Sequence, residues 1–293
     1  MNLEQIVTTA VSKPEDLWGD NLRQAGKLKK RMNILQEEYG LRKDIIPDLI
    51  LSIAHSRVSK KSKTIYFPNV GSSGSHLIQE AVSRSWPSIP LGEVYIPPML
   101  VPVIKEFIEN DRFLFMEAWH LLHAMRFSQL FNLEAVVINT VHNPTLGRFS
   151  DWTVNYEACL ITRNPLDIVI SRTFRKDDYR NYISKSESDE EYLYRNIDLV
   201  NKFYSRALKV GYKNRVAFED IFSDSIEVSR TVEEILTGVP KVKDFNEALT
   251  KSIQDGEATN QFSGKPREVP PLYKEMARKE LYGIAASLGY ENG

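Results

Sequence analysis

"TIYFPNVGSSGSHLIQEAV", Thr64 to Val82, reads as a β run, a glycine–serine turn and the first turns of an amphipathic helix. Gly71 and Gly74 admit positive φ and a close backbone approach, and Ser72, Ser73 and Ser75 add hydroxyls. A helix that begins at Ser75 aims its first N–H groups and the positive end of its dipole at the turn. The stretch is therefore an anion cradle made of backbone, or else a tight strand–helix turn with serine N-caps. It is not a Walker A loop, because no Gly-Lys-Ser/Thr follows and the turn itself carries no cation.

Outward from this turn, apolar runs alternate with helix-length segments. "RFLFMEAWH" is expected as a strand ending at His120, "LLHAMRFSQLF" as a helix and "EAVVINTV" as a strand. "YEACLITRN" is expected as a strand that enters a helix at Pro165. Between Trp86 and Pro102, the prolines at 87, 90, 97, 98 and 102 block regular pairing and predict a long loop over the strand ends. A long helix from Glu190 to Val210, a short strand "RVAFED" and a capped helix closed by Gly238 come next. The loop "EATNQFSGKPREVPP" and a last helix over "LYKEMARKELYGIAASLGY" follow. Strands of continuous Val, Ile, Leu and Phe predict an α/β fold whose central parallel sheet is flanked by helices on both faces.

Upstream, residues 1–62 read as a helical N-terminal extension packed on a domain formed by 63–293. "NLRQAGKLKKRMNILQEEYG" is a helix with Gly40 as C-cap, and "KDIIPDLILSIAHS" is a more buried helix broken early by Pro47. "RVSKKSK" is expected to be a basic, solvated connector.

Bulk composition narrows the partners. A net charge of −1 over 293 residues gives no whole-molecule reason for nucleic acid or membrane binding. The single cysteine, Cys159, excludes an internal disulfide framework and a Cys-based zinc site, and its apolar surroundings make it a buried strand residue. His55 and His142 have no carboxylate or Cys at ligand spacing, so no metal is expected. The first residues carry acids and lack a long apolar core, and no window approaches a membrane span; the expectation is a cytoplasmic enzyme or binding protein.

A second motif, "LITRNPLDIVISRTFR", puts Arg163 at a strand edge, Pro165 at a helix start and Asp167 in the first helical turn. Ser171 follows Arg163 by eight residues, so a guanidinium and a hydroxyl can grip one phosphate from two sides. The pair "GSSGSHLI" and "RNPLDIVIS" resembles the cytosolic-type sulfotransferases, in a bacterial small-molecule form. "VAFEDIFSDSIEVSRTVEEIL" and the closing "PPLYKEMARKELYGIAASLGY" resemble two further segments of that family, so the likeness runs from Lys63 to Tyr290.

The resemblance implies a P-loop-like three-layer fold and 3′-phosphoadenosine 5′-phosphosulfate (PAPS) as donor, with PAP as product and no metal. It implies that Gly71, Ser72, Ser73, Gly74, Ser75 and His76 surround the 5′-phosphosulfate and that Arg163 and Ser171 hold the 3′-phosphate. Phe218 falls where the family often has a tyrosine near the nucleotide. Lys265 and Arg267 fall on its basic closing loop, or on a merely solvated one. The family's base is a histidine just after the strand that follows the acceptor-binding loop; His120 is expected there, with Glu117 a weaker candidate, against a packing or capping role for that histidine. Trp86, Tyr95, Met99, Trp119, Phe149 and Trp152 would wall the acceptor pocket if they are not ordinary core packing. The acidic run at Glu187 to Glu191 would favour a cationic acceptor if it is not simply solvated.

One departure stands out. Where the family's loop has a lysine or arginine, this chain has Ser72 or, in the other alignment, Asn69. Losing one such donor to the leaving group commonly costs about 2.7–4 kcal/mol of transition-state stabilisation. His76 is a candidate replacement, or an ordinary helix-surface residue. The expected function is sulfuryl transfer to a hydroxyl or amine of a small molecule. The alternatives are a weak or inactive nucleotide-binding protein on the same scaffold and a P-loop-like nucleotide kinase. No segment matches the family's dimer motif clearly, which leaves the oligomeric state open.

Overall fold

Five parallel strands form the central sheet: β1 (Thr64–Tyr66), β2 (Ser88–Gly92), β3 (Val136–Asn139), β4 (Tyr156–Thr162) and β5 (Asn214–Ala217), in the order β2-β3-β1-β4-β5. The computed structural model describes residues 1–19, 22–124, 126–142, 156–174, 187–258 and 268–290. Side chains alternate across a strand, so each strand feeds two cores. Ile65, Ile138, Cys159, Ile161 and Val216 face α5 (Ser75–Ser85), α11 (Ser225–Ile235) and α12 (Phe245–Ala258). On the other face Leu160 packs under α8 (Pro165–Phe174), α9 (Asp189–Val210) and α13 (Pro271–Ser287), while Ile89, Leu91 and Val137 pack under α4 (Ile46–Ser59) and α7 (Glu109–Leu122). The chain is thus α/β, with an all-parallel sheet covered on both faces. Cys159 is buried in β4, and burial pushes its thiol up to about 12. No helix among the described residues is long and apolar enough to cross a membrane.

The first helices, α1 (Leu3–Ser12), α2 (Glu15–Trp18) and α3 (Leu22–Tyr39), share the core of α4, α6 (Leu100–Glu106) and α7. Gly40 ends α3 with φ +62° and donates its N–H to Gln36 O. α10 (Asp220–Ser223) is one short turn between β5 and α11. Asp224 caps α11 by accepting from the Glu227 N–H, and the C-terminal turn closes at Gly238 with φ +85°.

Several expectations are corrected. "RFLFMEAWH" is not a strand but the body of α7, and "LLHAMRFSQLF" divides between the end of α7 and a 3-10 turn at Phe127–Phe131. Residues 114–123 are all buried, so no polar stripe betrays the helical period and the aromatic run imitates a strand. The proline-rich segment is not a plain loop: it contains β2. Among the described residues that strand pairs only with β3, and it shifts register between Pro90 and Gly92, an edge position where proline is tolerated. Pro47 does not break α4; it stands in the first turn, where its missing N–H costs nothing. Residues 245–258 form α12, an element that the strand–helix alternation does not assign and that runs into the start of the expected loop; Phe245, Ala248, Leu249 and Ser252 form its buried stripe.

The basic segment after residue 56 is also corrected at its first arginine. Arg57 is fully buried, not solvated. Its Nε donates to Glu117 Oε2 at 2.9 Å, Nη1 donates to Asn132 O and Leu133 O, and Nη2 donates to Ala135 O at 2.9 Å. Glu117 Oε1 accepts from the Thr64 hydroxyl at 3.2 Å. The ion pair thereby ties α4, α7, the entry to β3 and the start of β1 together.

Candidate functional site

Past Tyr66 the chain stays against the sheet. The Phe67 N–H donates to Asn139 O at 2.8 Å and the Asn69 N–H to Val141 O at 3.2 Å. Asn69 is buried, and its amide is fully engaged: Nδ2 donates to Phe67 O and Thr140 O, and Oδ1 accepts from the Gly71 N–H at 3.0 Å. It therefore pins the loop and has no N–H left for an anion. Gly71, Ser72 and Gly74 then take φ of +64°, +61° and +82°. Gly71 and Gly74 are also forced by space. A Cβ on Gly71 would lie 2.6 Å from Arg172 Nη1, and one on Gly74 would lie 2.2 Å from Phe218 Cδ2. Ser72 bears left-handed strain that a non-glycine residue rarely adopts. The Ser72 and Ser73 hydroxyls are buried without a hydrogen-bond partner. Orphaned buried hydroxyls of this kind fit a ligand that supplies acceptors, which is what a phosphate or phosphosulfate does.

The second motif meets the first. β4 ends at Thr162, and Arg163 Nη1 donates to Ser72 O at 2.8 Å while its guanidinium sits 4.3 Å from the centre of the Phe218 ring. Phe218 is held at the end of β5 by its N–H donating to Thr162 O at 2.7 Å. The Asn164 N–H donates to Glu219 Oε1, and Tyr290 after α13 donates its hydroxyl to Glu219 Oε2 at 2.8 Å. Three neighbouring strand ends, β1, β4 and β5, so deliver the loop, Arg163 and Phe218 to one place. Connections leave β1 and β4 in opposite directions, and a crevice at such strand ends is where open α/β sheets take ligands. A cavity of about 730 Å³ lies there, lined by Ser72, Ser75, His76, Arg163, Phe218 and His142 among others.

His142 and Arg172 were not among the expected site residues. β3 ends at Asn139, and His142 follows it three residues on, with its Nε2 3.1 Å from Oε1 of Glu93, the residue after β2. No sequence spacing announces this contact: β2–β3 pairing brings Glu93 to His142. Burial lowers the pKa of His142; Glu93 opposes that, and Arg172 and His76 reinforce it. Its pKa below the ordinary 6.5 leaves the imidazole neutral near pH 7, with Nε2 beside the Glu93 carboxylate. Arg172 is buried behind Gly71: Nη1 donates to Val70 O at 3.1 Å and Nε to Asn196 Oδ1 at 3.0 Å. Asn196 is itself fixed through donations to Thr173 Oγ1 and Tyr192 O. The signal for His142 was present in the sequence: it stands just past the C-terminal end of "EAVVINTV", as Arg163 stands past "YEACLIT".

The structure places the remaining candidates as follows. Gly71, Ser72, Gly74, Ser75, His76, Arg163 and Phe218 line the cavity, and Ser73 lies buried within the loop. Ser171 is half-buried on α8 and outside the described lining. His120 does not follow a strand; it is buried on α7, with Nε2 2.6 Å from Tyr66 Oη, and burial lowers its pKa to about 4. Glu117 is occupied by Arg57 and Thr64. Trp119 is core, stacked on Phe115 at 5.6 Å, and Trp86 is core against Phe245 at 5.7 Å. Tyr95 packs beside Tyr66 and gives its carbonyl to the Trp119 indole, whereas Met99 is exposed before α6. Glu191 is spent in the capping box of α9 with Ser188, and Glu187 pairs with Arg195. Phe149, Trp152, Lys265 and Arg267 lie outside the described residues.

A scan against protein-family models finds no match to the chain, and a search of curated proteins finds none either.

Proposed function

We propose that this chain is a P-loop-like sulfotransferase that moves a sulfuryl group from 3′-phosphoadenosine 5′-phosphosulfate to a hydroxyl or amine of a small molecule. The observation that carries the reading is the contact of Arg163 with Ser72 O at 2.8 Å, which joins the two motifs in one cavity beside His142. The donor would supply a sulfuryl group already activated by its bond to phosphate. The Ser72 and Ser73 hydroxyls and the first N–H groups of α5 bind its phosphosulfate end, and Arg163 holds the 3′-phosphate. His142 replaces His120 as the base, because it meets the requirement of following a strand end and lines the cavity. It takes the acceptor's proton as the oxygen–sulfur bond forms, and Glu93 stabilises the imidazolium that results. The electron pair of the breaking bond leaves on the phosphate. There Arg172, fixed against Gly71, supplies the positive charge that the loop lacks, with His76 at the rim.

The test is calorimetric titration with adenosine 3′,5′-bisphosphate, followed by transfer assays with labelled donor and a panel of phenols, amines and hydroxy acids. Wild type should bind the bisphosphate, and Arg163→Ala should weaken it by at least about tenfold, the worth of a charge-assisted hydrogen bond. No bisphosphate binding overturns the reading. Binding without transfer to any acceptor points instead to an inactive nucleotide-binding scaffold.

A further inference from the structure

The loop cavity has a neighbour. A groove of about 460 Å³ opens beside it, and His142 lines both. Val70 of the loop and Phe203 of α9 give the groove an apolar floor, and Leu199 extends that surface. Among the described residues its charge is one-sided: Arg172, Arg195, Lys202 and Arg206 line it with one carboxylate, Asp198. Residues 195, 199, 202 and 206 recur at the helical period, so α9 presents them as one stripe. Arg172 enters from α8 and is held in place by Val70 O and Asn196.

The existing pairs do not cancel this charge. Arg195 meets Glu187 with the arginine about half exposed and the carboxylate mostly buried, whereas Lys202 meets Asp198 at 2.7 Å with both side chains more than half exposed. Exposed pairs of this kind are weak and exchange readily for a ligand anion. Arg206 has no ion pair among the described residues. Of the acids at 187–191, Glu191 caps α9 and Glu187 meets Arg195, and none of them lines the groove.

We propose that this groove is the acceptor site and that it takes a hydroxylated organic anion. The hydroxyl sits at His142, the carbon skeleton lies on Phe203 and Leu199, and a carboxylate or phosphate meets the Arg195–Lys202–Arg206 stripe. The assignment of the groove as acceptor site rests on the transferase reading; the sign of its ligand rests on the groove alone.

The experiment uses the full chain and a matched pair of probes, 4-hydroxyphenylacetate and its neutral amide, 4-hydroxyphenylacetamide, titrated by calorimetry. The carboxylate should bind about tenfold more tightly than the amide at low salt, and the gap should shrink as salt rises. Lys202→Glu combined with Arg206→Glu, both on the exposed side of α9, should close the gap, and Lys279→Glu on α13 should leave it intact. Equal affinities in wild type, no binding of the carboxylate, or a gap that survives the double charge reversal overturns the proposal. The salt series on wild type needs no variant and decides the question if the double variant fails to fold. Parallel titration with adenosine 3′,5′-bisphosphate separates the two readings. Anion preference without bisphosphate binding sinks the transferase and the acceptor role while leaving the anion groove; bisphosphate binding without anion preference sinks the groove alone.

Discussion

His120 and His142 have nearly the same chemical company. Each feels a carboxylate that raises its pKa and an arginine that lowers it: Glu117 and Arg57 for one, Glu93 and Arg172 for the other. What separates them is access. His120 is 1% exposed, on the interior of α7, closed off by Tyr66. His142 stands past the end of β3 with its side chain 24% exposed, between two open cavities. A buried polar cluster whose every neighbour is protein fixes helix against sheet. The same groups at a strand end, with space on one side, can hand a proton to something that comes and goes.

The sharpest way to break this comparison is to truncate both histidines. His142→Ala should lower sulfuryl transfer by about 10²–10⁴-fold, the usual worth of a positioned base, with little change in urea midpoint. His120→Ala should retain turnover per folded molecule and lose about 1–3 kcal/mol of stability, because it leaves the Tyr66 hydroxyl buried without its partner. The reverse pattern would return the catalytic role to His120.

The arginines extend the comparison with a somewhat smaller effect. Arg57→Ala leaves the Glu117 carboxylate buried without its charge partner and takes one donor from each of three backbone carbonyls, and should cost about 3–5 kcal/mol in denaturant unfolding. Arg57→Met with Glu117→Leu should recover much of that loss, since the charge is removed in balance. If Arg57→Ala proves neutral, the α7 cluster is not the tie between helix and sheet described above.

How much of this was legible in the sequence follows from the same contrast. The strands β1, β3 and β4 were readable because each carries an apolar run close to a glycine turn, an asparagine or a helix start, and the short β5 because its Val216 and Ala217 lead into a capped helix. The loop and Arg163 were readable because strand-end geometry forces residue types there: glycine for space, a cation for anions. α7 was not, since nine of its residues are buried on all sides and a helix with no polar stripe shows no period. That one misreading directed the expected base to His120, because a false strand at 112–120 supplied a false strand end there. Arg57 was misread for a related reason: "RVSKKSK" has the composition of a solvated linker, and only the fold brings Glu117 from 60 positions away to bury its first arginine. The Glu93–His142 pair likewise depends on β2 lying beside β3, which its prolines concealed.

Acid sharpens the difference between the two regions by the smallest step. His120 is held neutral in the fold, its pKa lowered from the ordinary 6.5 to about 4 chiefly by burial. His123, whose ring lies 2.7 Å from Trp119 O, is lowered to about 3 for the same reason. The unfolded chain takes up these protons as pH falls through about 6.5, while the folded chain does not until near 4. Stability is therefore full above 6.5 and declines as pH drops toward 4, by on the order of 3 kcal/mol for His120. Urea unfolding at a series of pH values should show this slope, and His120→Gln should reduce it by its own share, leaving the part that His123 supplies. His142, also lowered by burial but open to the cavity, should leave its mark on turnover as well: the acid limb of the rate profile lies below 6.5 and vanishes with His142→Ala. A slope in stability that ignores His120, or an acid limb that survives His142→Ala, would show that access does not divide the two histidines in this way.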